Sequence, residues 1–292
     1  MTQLINLMIA GSFPIAIDKF FLGGQLIALE KKDGGVRPIA IGYIIRRLMA
    51  KCANHYVIAR RSKSLKTIQL GVGVPGGTEA AVNATRCLLS PLPTDHVMLK
   101  LDFTTALNSV RRYLSLETTS INTSELYQFV HATSSCDPIL SYGSHKIRSK
   151  EGFQQGDPLS ALEFCETVQP LLSSLDSDVN LGFMDHFTIL SPADIVECNV
   201  WKISSAASKT GLLLNPTRCE IISFETQSRI NPFSRNTFIP SRQTDITWCP
   251  SSQRSGHRLV LTAKLMTLQE PLAGYLHCMP MMPQASFGTA SA

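Results

Sequence analysis

No apolar run in this 292-residue sequence exceeds a few residues, far short of the roughly 18–20 that a membrane-spanning helix needs. Met1–Ala10 is apolar in places, but no basic residue precedes its hydrophobic part, so it makes a poor secretion signal. There is no CxxC pair. The eight cysteines are spread evenly, the closest two being Cys198 and Cys219, 21 residues apart, which argues against a zinc ribbon or a small disulfide scaffold. Reduced, mostly buried thiols are the expectation, and with them an intracellular setting, nucleus or cytoplasm. No internal repeat is visible. What is present is a 44% hydrophobic fraction, ample for a folded core, in a length that suits one large domain or two lobes. A net charge of +5 permits a nucleic-acid partner without demanding one.

Along the chain, Asp33-Gly34-Gly35 between the β-prone runs 26–29 and 39–41 predicts a hairpin. Tyr43–Arg60 follows with Ile44, Leu48, Cys52 and Tyr56 at a four-residue helical spacing. Val97–Asp102 reads as a strand, Asn108–Thr118 as a helix, and Leu159–Leu175 as a helix with Pro170 inside it, where a kink is expected. Leu181–Leu190 reads as a hairpin turning at Asp185-His186. Ser191 as cap and Pro192 in the first position open a helix that should stop at Gly211. Leu212–Leu214 and Cys219–Phe224 around Asn215-Pro216 predict a second hairpin. This order gives an α+β fold. From Thr226 to His257 the composition shifts to Ser, Thr, Asn, Pro and Arg, as in a linker, and 259–276 recovers a weak helical pattern.

Asp102 ends an apolar strand and Asp185 sits at a tight turn 83 residues later. Two carboxylates from adjacent strand ends can hold paired Mg²⁺ ions, since hard cations want oxygen ligands and two metals can stabilise attacking and leaving oxygens together. Taken alone, acids at strand ends are common on protein surfaces. The surrounding words narrow the reading. Lys31–Ile39, Leu101–Val110, Glu151–Leu159 with Gln154-Gln155-Gly156-Asp157-Pro158-Leu159, Phe183–His186 and Gly211–Glu220 occur in this order, with Gln69–Glu79 after the first. Together they resemble the reverse transcriptase domain of non-LTR (LINE-type) retrotransposons over about residues 20–225.

The resemblance implies a right-hand polymerase: fingers in 1–96, a palm of antiparallel sheet on helices in 97–225, and a linker with a vestigial thumb in 226–292. It implies a transposable-element enzyme that takes an RNA template, a DNA primer and dNTP, with Mg²⁺ or Mn²⁺ as cofactor. Asp102, the backbone carbonyl of Phe103, and Asp185 would hold the metals. Lys31 and Arg37 would hold the triphosphate. Ala106, Leu107, Gln155 and Gly156 would line the nucleotide, glycine permitting close approach. Asp157 is read equally well as a cap of the 159–175 helix.

Several positions depart from the family pattern. His186 stands where a second Asp is usual, exchanging an anionic oxygen for a nitrogen that suits softer metals. Leu107 stands where an aromatic screens the sugar 2′ position, and Arg218 replaces a Lys. Glu163 and Glu166 enter a helix that is apolar in the family, and a buried unpaired carboxylate is costly or becomes neutral. These features resemble a truncated or degenerate copy. Two readings follow: an RNA-copying polymerase, and an inactive remnant that binds nucleic acid through Arg46, Arg47, Arg60, Arg61, Lys63 and Lys66, with His186 and the reduced thumb favouring the second.

Overall fold

Strand β3, His96–Leu101, carries four residues that are buried almost completely, Val97, Met98, Leu99 and Leu101, so it needs cover on both faces and both edges. The computed structural model describes residues 2–12, 21–31, 34–89, 93 and 95–222. Contacts gather Met1–Ile246 into one unit and Thr247–Ala292 into another. The second unit, and the linker and thumb remnant expected in 226–292, lie outside the described residues. Within the first unit β3 is central to an antiparallel sheet of order β10-β3-β8-β7, with β7 Val179–Phe183, β8 His186–Pro192 and β10 Glu220–Ile222. Helices α7 (Ser160–Ser173) and α8 (Ala193–Thr210) pack on it through Phe164, Val168, Leu172, Val196, Val200 and Ile203.

A second sheet has the order β2-β1-β5-β6, from β1 Gly24–Glu30, β2 Val36–Gly42, β5 Ile139–Tyr142 and β6 His145–Arg148. Its β1–β2 hairpin forms where the Asp-Gly-Gly word predicts it, closed by Lys31 N–H donating to Gly35 O at 2.7 Å, with Gly34 at φ +77°. β1 and β5 run parallel, the other pairs antiparallel. The result is a mixed α+β fold with two antiparallel-rich sheets and packed helices, as expected from the sequence. The remaining helices are α1 Thr2–Ile9, α2 Ile44–Leu65, α3 Gly77–Leu89, α4 Ala106–Ser109, α5 Arg112–Asn122 and α6 Tyr127–Ser135.

Five local expectations are corrected. The 181–190 hairpin pairs Phe183 with His186, so the two-residue turn is Met184-Asp185 and His186 opens β8. The helix expected over 108–118 is split at Val110, which is extended (ψ 139°) and fully buried, with Arg112–Asn122 starting a second helix beyond it. The second expected hairpin does not form: Leu213–Leu214 (β9) pairs with Phe103–Thr104 (β4), while β10 pairs with β3. Ser191 belongs to β8, where its hydroxyl accepts from Asp178 N–H, and Pro192 takes the cap position of α8. In α2 the buried side is Met49, Ala50, Ala53 and Val57; Ile44, Leu48, Cys52 and Tyr56 face outward.

Candidate active site

β3 delivers Asp102 at its end, and the β7–β8 turn delivers Asp185 beside it, because β3 and β8 pair with Leu101 opposite Phe187. The two carboxylates meet at one imidazole. His186 Nδ1 lies 3.5 Å from Asp102 Oδ1, and His186 Nε2 lies 4.0 Å from Asp185 Oδ1. His186 Nδ1 is buried and has no hydrogen-bond partner. Burial raises the Asp102 carboxyl above the usual carboxylate range; His186 opposes this, the charge of Asp185 adds to it, and Arg218 and Lys100 pull it back. Behind the acids, Phe103 and Phe187 pack edge to face at 5.0 Å, giving the site an apolar floor.

Two non-glycine residues among those described have positive φ, and both belong to this site: Thr105 at 48°, three residues after Asp102, and Met184 at 54°, just before Asp185. Such conformations cost of order 1–3 kcal/mol and persist where surroundings over-determine them. At Met184 the determinant is Gln69, whose side chain is wholly buried. Its Oε1 accepts Met184 N–H at 3.0 Å and its Nε2 donates to Met184 O at 3.2 Å, so one amide brackets the turn residue. A Cβ on Gly182 would come within 2.8 Å of that amide, so glycine makes room for the clamp. In the sequence Gln69 stands only as the first residue of a matching block, and a lone Gln before a Gly-rich stretch is the one signal of this role.

The 151–157 loop is fixed from three directions. Phe153 N–H donates to Leu107 O at 2.6 Å, Asn108 Nδ2 donates to Phe153 O at 3.2 Å, and Gln155 Nε2 donates to Asn108 Oδ1 at 2.6 Å. Gln155 O accepts from Ala40 N–H of β2 at 2.7 Å, and Gly156 sits at φ +111° where a Cβ would meet Ala40 O at 2.7 Å. Arg46, buried on α2, donates to Asp157 Oδ2 at 3.0 Å, to Gln154 Oε1 at 2.8 Å and to the carbonyl of Leu22. Asp157 Oδ1 also accepts Leu159 N–H at 3.0 Å, at the entrance to α7. Asn108 and Arg46 were not expected in these roles.

The structure therefore brings Asp102, Asp185 and His186 together, and separately joins Leu107, Gln155 and Gly156 through the loop network. Ala106 and Leu107 are buried in the core at the start of α4. Lys31 is in the β1–β2 turn region and Arg37 lies opposite Leu29 on β2. Glu166 is buried yet paired: Arg61 grips it with two bonds of 2.5 and 2.7 Å, and Asn122 adds a third at 2.9 Å. Burial pushes the Glu163 carboxyl up to about 8; Asp157 adds to the rise, and Arg46 and Arg112 oppose it. Three of the basic residues grouped on α2 thus face acids, since Arg60 also bonds Glu125.

Among the described residues no three His, Cys, Asp or Glu side chains form a ready metal cluster. The Asp102–Asp185 pair nonetheless fits an oxygen-seeking divalent cation: two hard donors converge, and burial, with the charge of Asp185 adding to it, raises Asp102. No helix among the described residues is long and apolar enough to cross a membrane.

No curated protein matches this sequence. Solved structures with similar folds include apo telomerase from Candida tropicalis truncated from its C-terminal domain, at 16% identity and TM-score 0.52, covering 71% of this chain and 51% of that one. Telomerase from Candida albicans in complex with a TWJ fragment of telomeric RNA gives 12% identity and TM-score 0.54, covering 74% and 44%. Apo telomerase from Candida tropicalis gives 14% and 0.55, covering 73% and 46%. The chain thus spans about half the length of these telomerases, and the likeness is one of fold. The profile of reverse transcriptase (RNA-dependent DNA polymerase) matches residues 29–254, most of the sequence, and the chain belongs to that family.

Proposed function

We propose that the chain is the RNA-directed DNA polymerase domain of a non-LTR (LINE-type) retrotransposon, with fingers in 1–96 and palm in 97–225, working inside the cell. The observation that carries this reading is the meeting of the Asp102 and Asp185 carboxylates at a strand end and a strained turn, within a chain of the reverse transcriptase family. In the reaction, a DNA primer 3′-hydroxyl attacks the α-phosphate of a dNTP chosen by an RNA template, and pyrophosphate leaves. Asp102, the Phe103 carbonyl and Asp185 would hold Mg²⁺, which when bound neutralises charge on the reacting phosphate oxygens. Lys31 and Arg37 bind the triphosphate as point charge and fork. Gln155, held by Asn108, and Gly156, held against β2, shape the seat of the incoming base.

One observation favours a second reading, an inactive remnant that retains nucleic-acid binding. The His186 ring stands between the two acids, where it contributes nitrogen rather than an anionic oxygen. Primer extension on an RNA template, with Mg²⁺ and then Mn²⁺, separates the two. Weak extension strengthened by Mn²⁺ supports the polymerase, whereas none with either ion, from folded protein that binds RNA, supports the remnant.

A further inference from the structure

The carbonyl oxygen of Phe153 can only accept a hydrogen bond. Asn108, in α4, must therefore turn its amide nitrogen toward it, and Nδ2 donates to Phe153 O at 3.2 Å. The other end of that amide, Asn108 Oδ1, then faces Gln155 and can only accept in its turn. Gln155 must meet it with nitrogen, and Nε2 donates to Asn108 Oδ1 at 2.6 Å. One backbone carbonyl thus fixes the polarity of two side-chain amides in succession. The end of the Gln155 amide turned away from Asn108 is Oε1, which is buried and has no hydrogen-bond partner.

The frame around this relay is fixed. Phe153 N–H donates to Leu107 O at 2.6 Å, and Gly152 N–H donates to Val110 O at 3.1 Å. Gly152 is at φ +61°, and a Cβ on it would come within 2.2 Å of the Asn108 carbonyl carbon, so the loop lies directly against the backbone of α4. Gln155 O accepts from Ala40 N–H of β2 at 2.7 Å. Gln155 is therefore held by its backbone to β2 and by its side chain to α4. A half-turn of its amide would set oxygen against oxygen across the 2.6 Å contact with Asn108.

We propose that Asn108 is a positioning residue that sets the polarity of Gln155, making it present an acceptor to the bound nucleotide. The nucleotide meets Oε1 with a donor, either a sugar hydroxyl or an exocyclic amino group of the base. That Gln155 faces a nucleotide rests on the polymerase reading above; the forced order of the two amides is independent of it.

The test compares wild type, Asn108→Leu, Gln155→Ala and the double variant. Each is complexed with an RNA template offering a cytosine and a DNA primer whose last nucleotide lacks its 3′-hydroxyl, so that nothing is extended. Calorimetry reads the affinity for dGTP, for ddGTP, which lacks the sugar hydroxyl, and for dITP, which lacks the base amino group. Asn108→Leu should weaken dGTP about three- to tenfold, as for the loss of one hydrogen bond. It should also abolish the wild-type preference for dGTP over one of the two analogues, and which one identifies the donor. In the Gln155→Ala chain the same substitution should change affinity by less than about twofold. Asn108→Asp keeps an oxygen toward Gln155 and should keep the preference. Equal weakening by Asn108→Leu in both backgrounds overturns the proposal, because Asn108 then acts without Gln155. A wild type that prefers dGTP over neither analogue overturns it too. By NMR, the Gln155 Nε2 protons of the wild type should exchange slowly with solvent; fast exchange overturns the proposal even if Asn108→Leu does not fold. A wild type that binds dGTP and is indifferent to Asn108→Leu defeats this inference alone. A wild type that binds no dGTP defeats the polymerase reading with it.

Discussion

Replacing Gln69 by Leu should unfasten the turn that presents Asp185. The side chain is wholly buried, and its amide satisfies both the N–H and the C=O of Met184, at 3.0 and 3.2 Å. Leu fills a similar volume, so little cavity forms, but both backbone groups lose their partner. A buried donor or acceptor left unpaired costs about 1–3 kcal/mol. Met184 is held at φ 54°, a conformation that itself costs roughly 1–3 kcal/mol and is imposed by the clamp; once released, the turn can recover part of that strain. The net expectation is a loss of about 2–4 kcal/mol, with local exposure of the Met184 amide. Urea unfolding followed by circular dichroism reads the first quantity, and amide hydrogen exchange at Met184 reads the second. Gly182→Ala should produce a related loss by crowding the same amide, and the double variant should fall short of the sum. A Gln69→Leu protein within about 0.5 kcal/mol of wild type, with unchanged Met184 exchange, would refute the clamp.

Three further outcomes follow from buried charge and packing. The Glu163 carboxyl rises from its ordinary 4.5 to about 8, so its contribution to stability is fully present below about 4.5 and is lost as pH rises through about 8; Glu163→Gln should flatten that fall and stabilise the protein at pH 8, as urea midpoints across pH will show. Arg61→Ala strands buried Glu166 without its bidentate partner and should cost about 3–5 kcal/mol, measurable by thermal unfolding, with Arg61→Lys recovering only part of it. Leu107→Phe should sharpen discrimination for dNTP over rNTP in extension assays, because a ring crowds the 2′-hydroxyl; since Leu107 is in the core, overpacking of about 1–3 kcal/mol should accompany it.

The parts of this fold that were legible in the sequence are those fixed by local chemistry. The β1–β2 reversal falls where the Asp-Gly-Gly word predicts a hairpin, with Gly34 at φ +77°, and the apolar run before Asp102 reads as a strand and forms one. Gly211 stops α8 with φ +77°, as its position foretells. What escaped was set by distant partners. Leu213–Leu214 and Glu220–Ile222 read as a hairpin by proximity, yet each pairs with a different strand of the 96–104 segment. In α2 the stripe Ile44, Leu48, Cys52 and Tyr56 has the helical period, yet the side that meets the core is Met49, Ala50, Ala53 and Val57, which only the tertiary partners decide. At the site, the two acids were readable from strand-end and turn signals. Gln69, Asn108 and Arg46 were not, because a buried amide or guanidinium acquires meaning only from polar partners 24 to 115 residues away.

Whether Asp102 and Asp185 form a polymerase centre is decided by primer extension on an RNA template with Mg²⁺, comparing wild type, Asp102→Asn and His186→Asp at equal folded fraction. Asp102→Asn should abolish extension, while His186→Asp, by restoring an anionic oxygen beside Asp185, should raise it above wild type. Extension by Asp102→Asn equal to that of wild type, or no gain from His186→Asp, would contradict the assignment of these carboxylates as the polymerase centre.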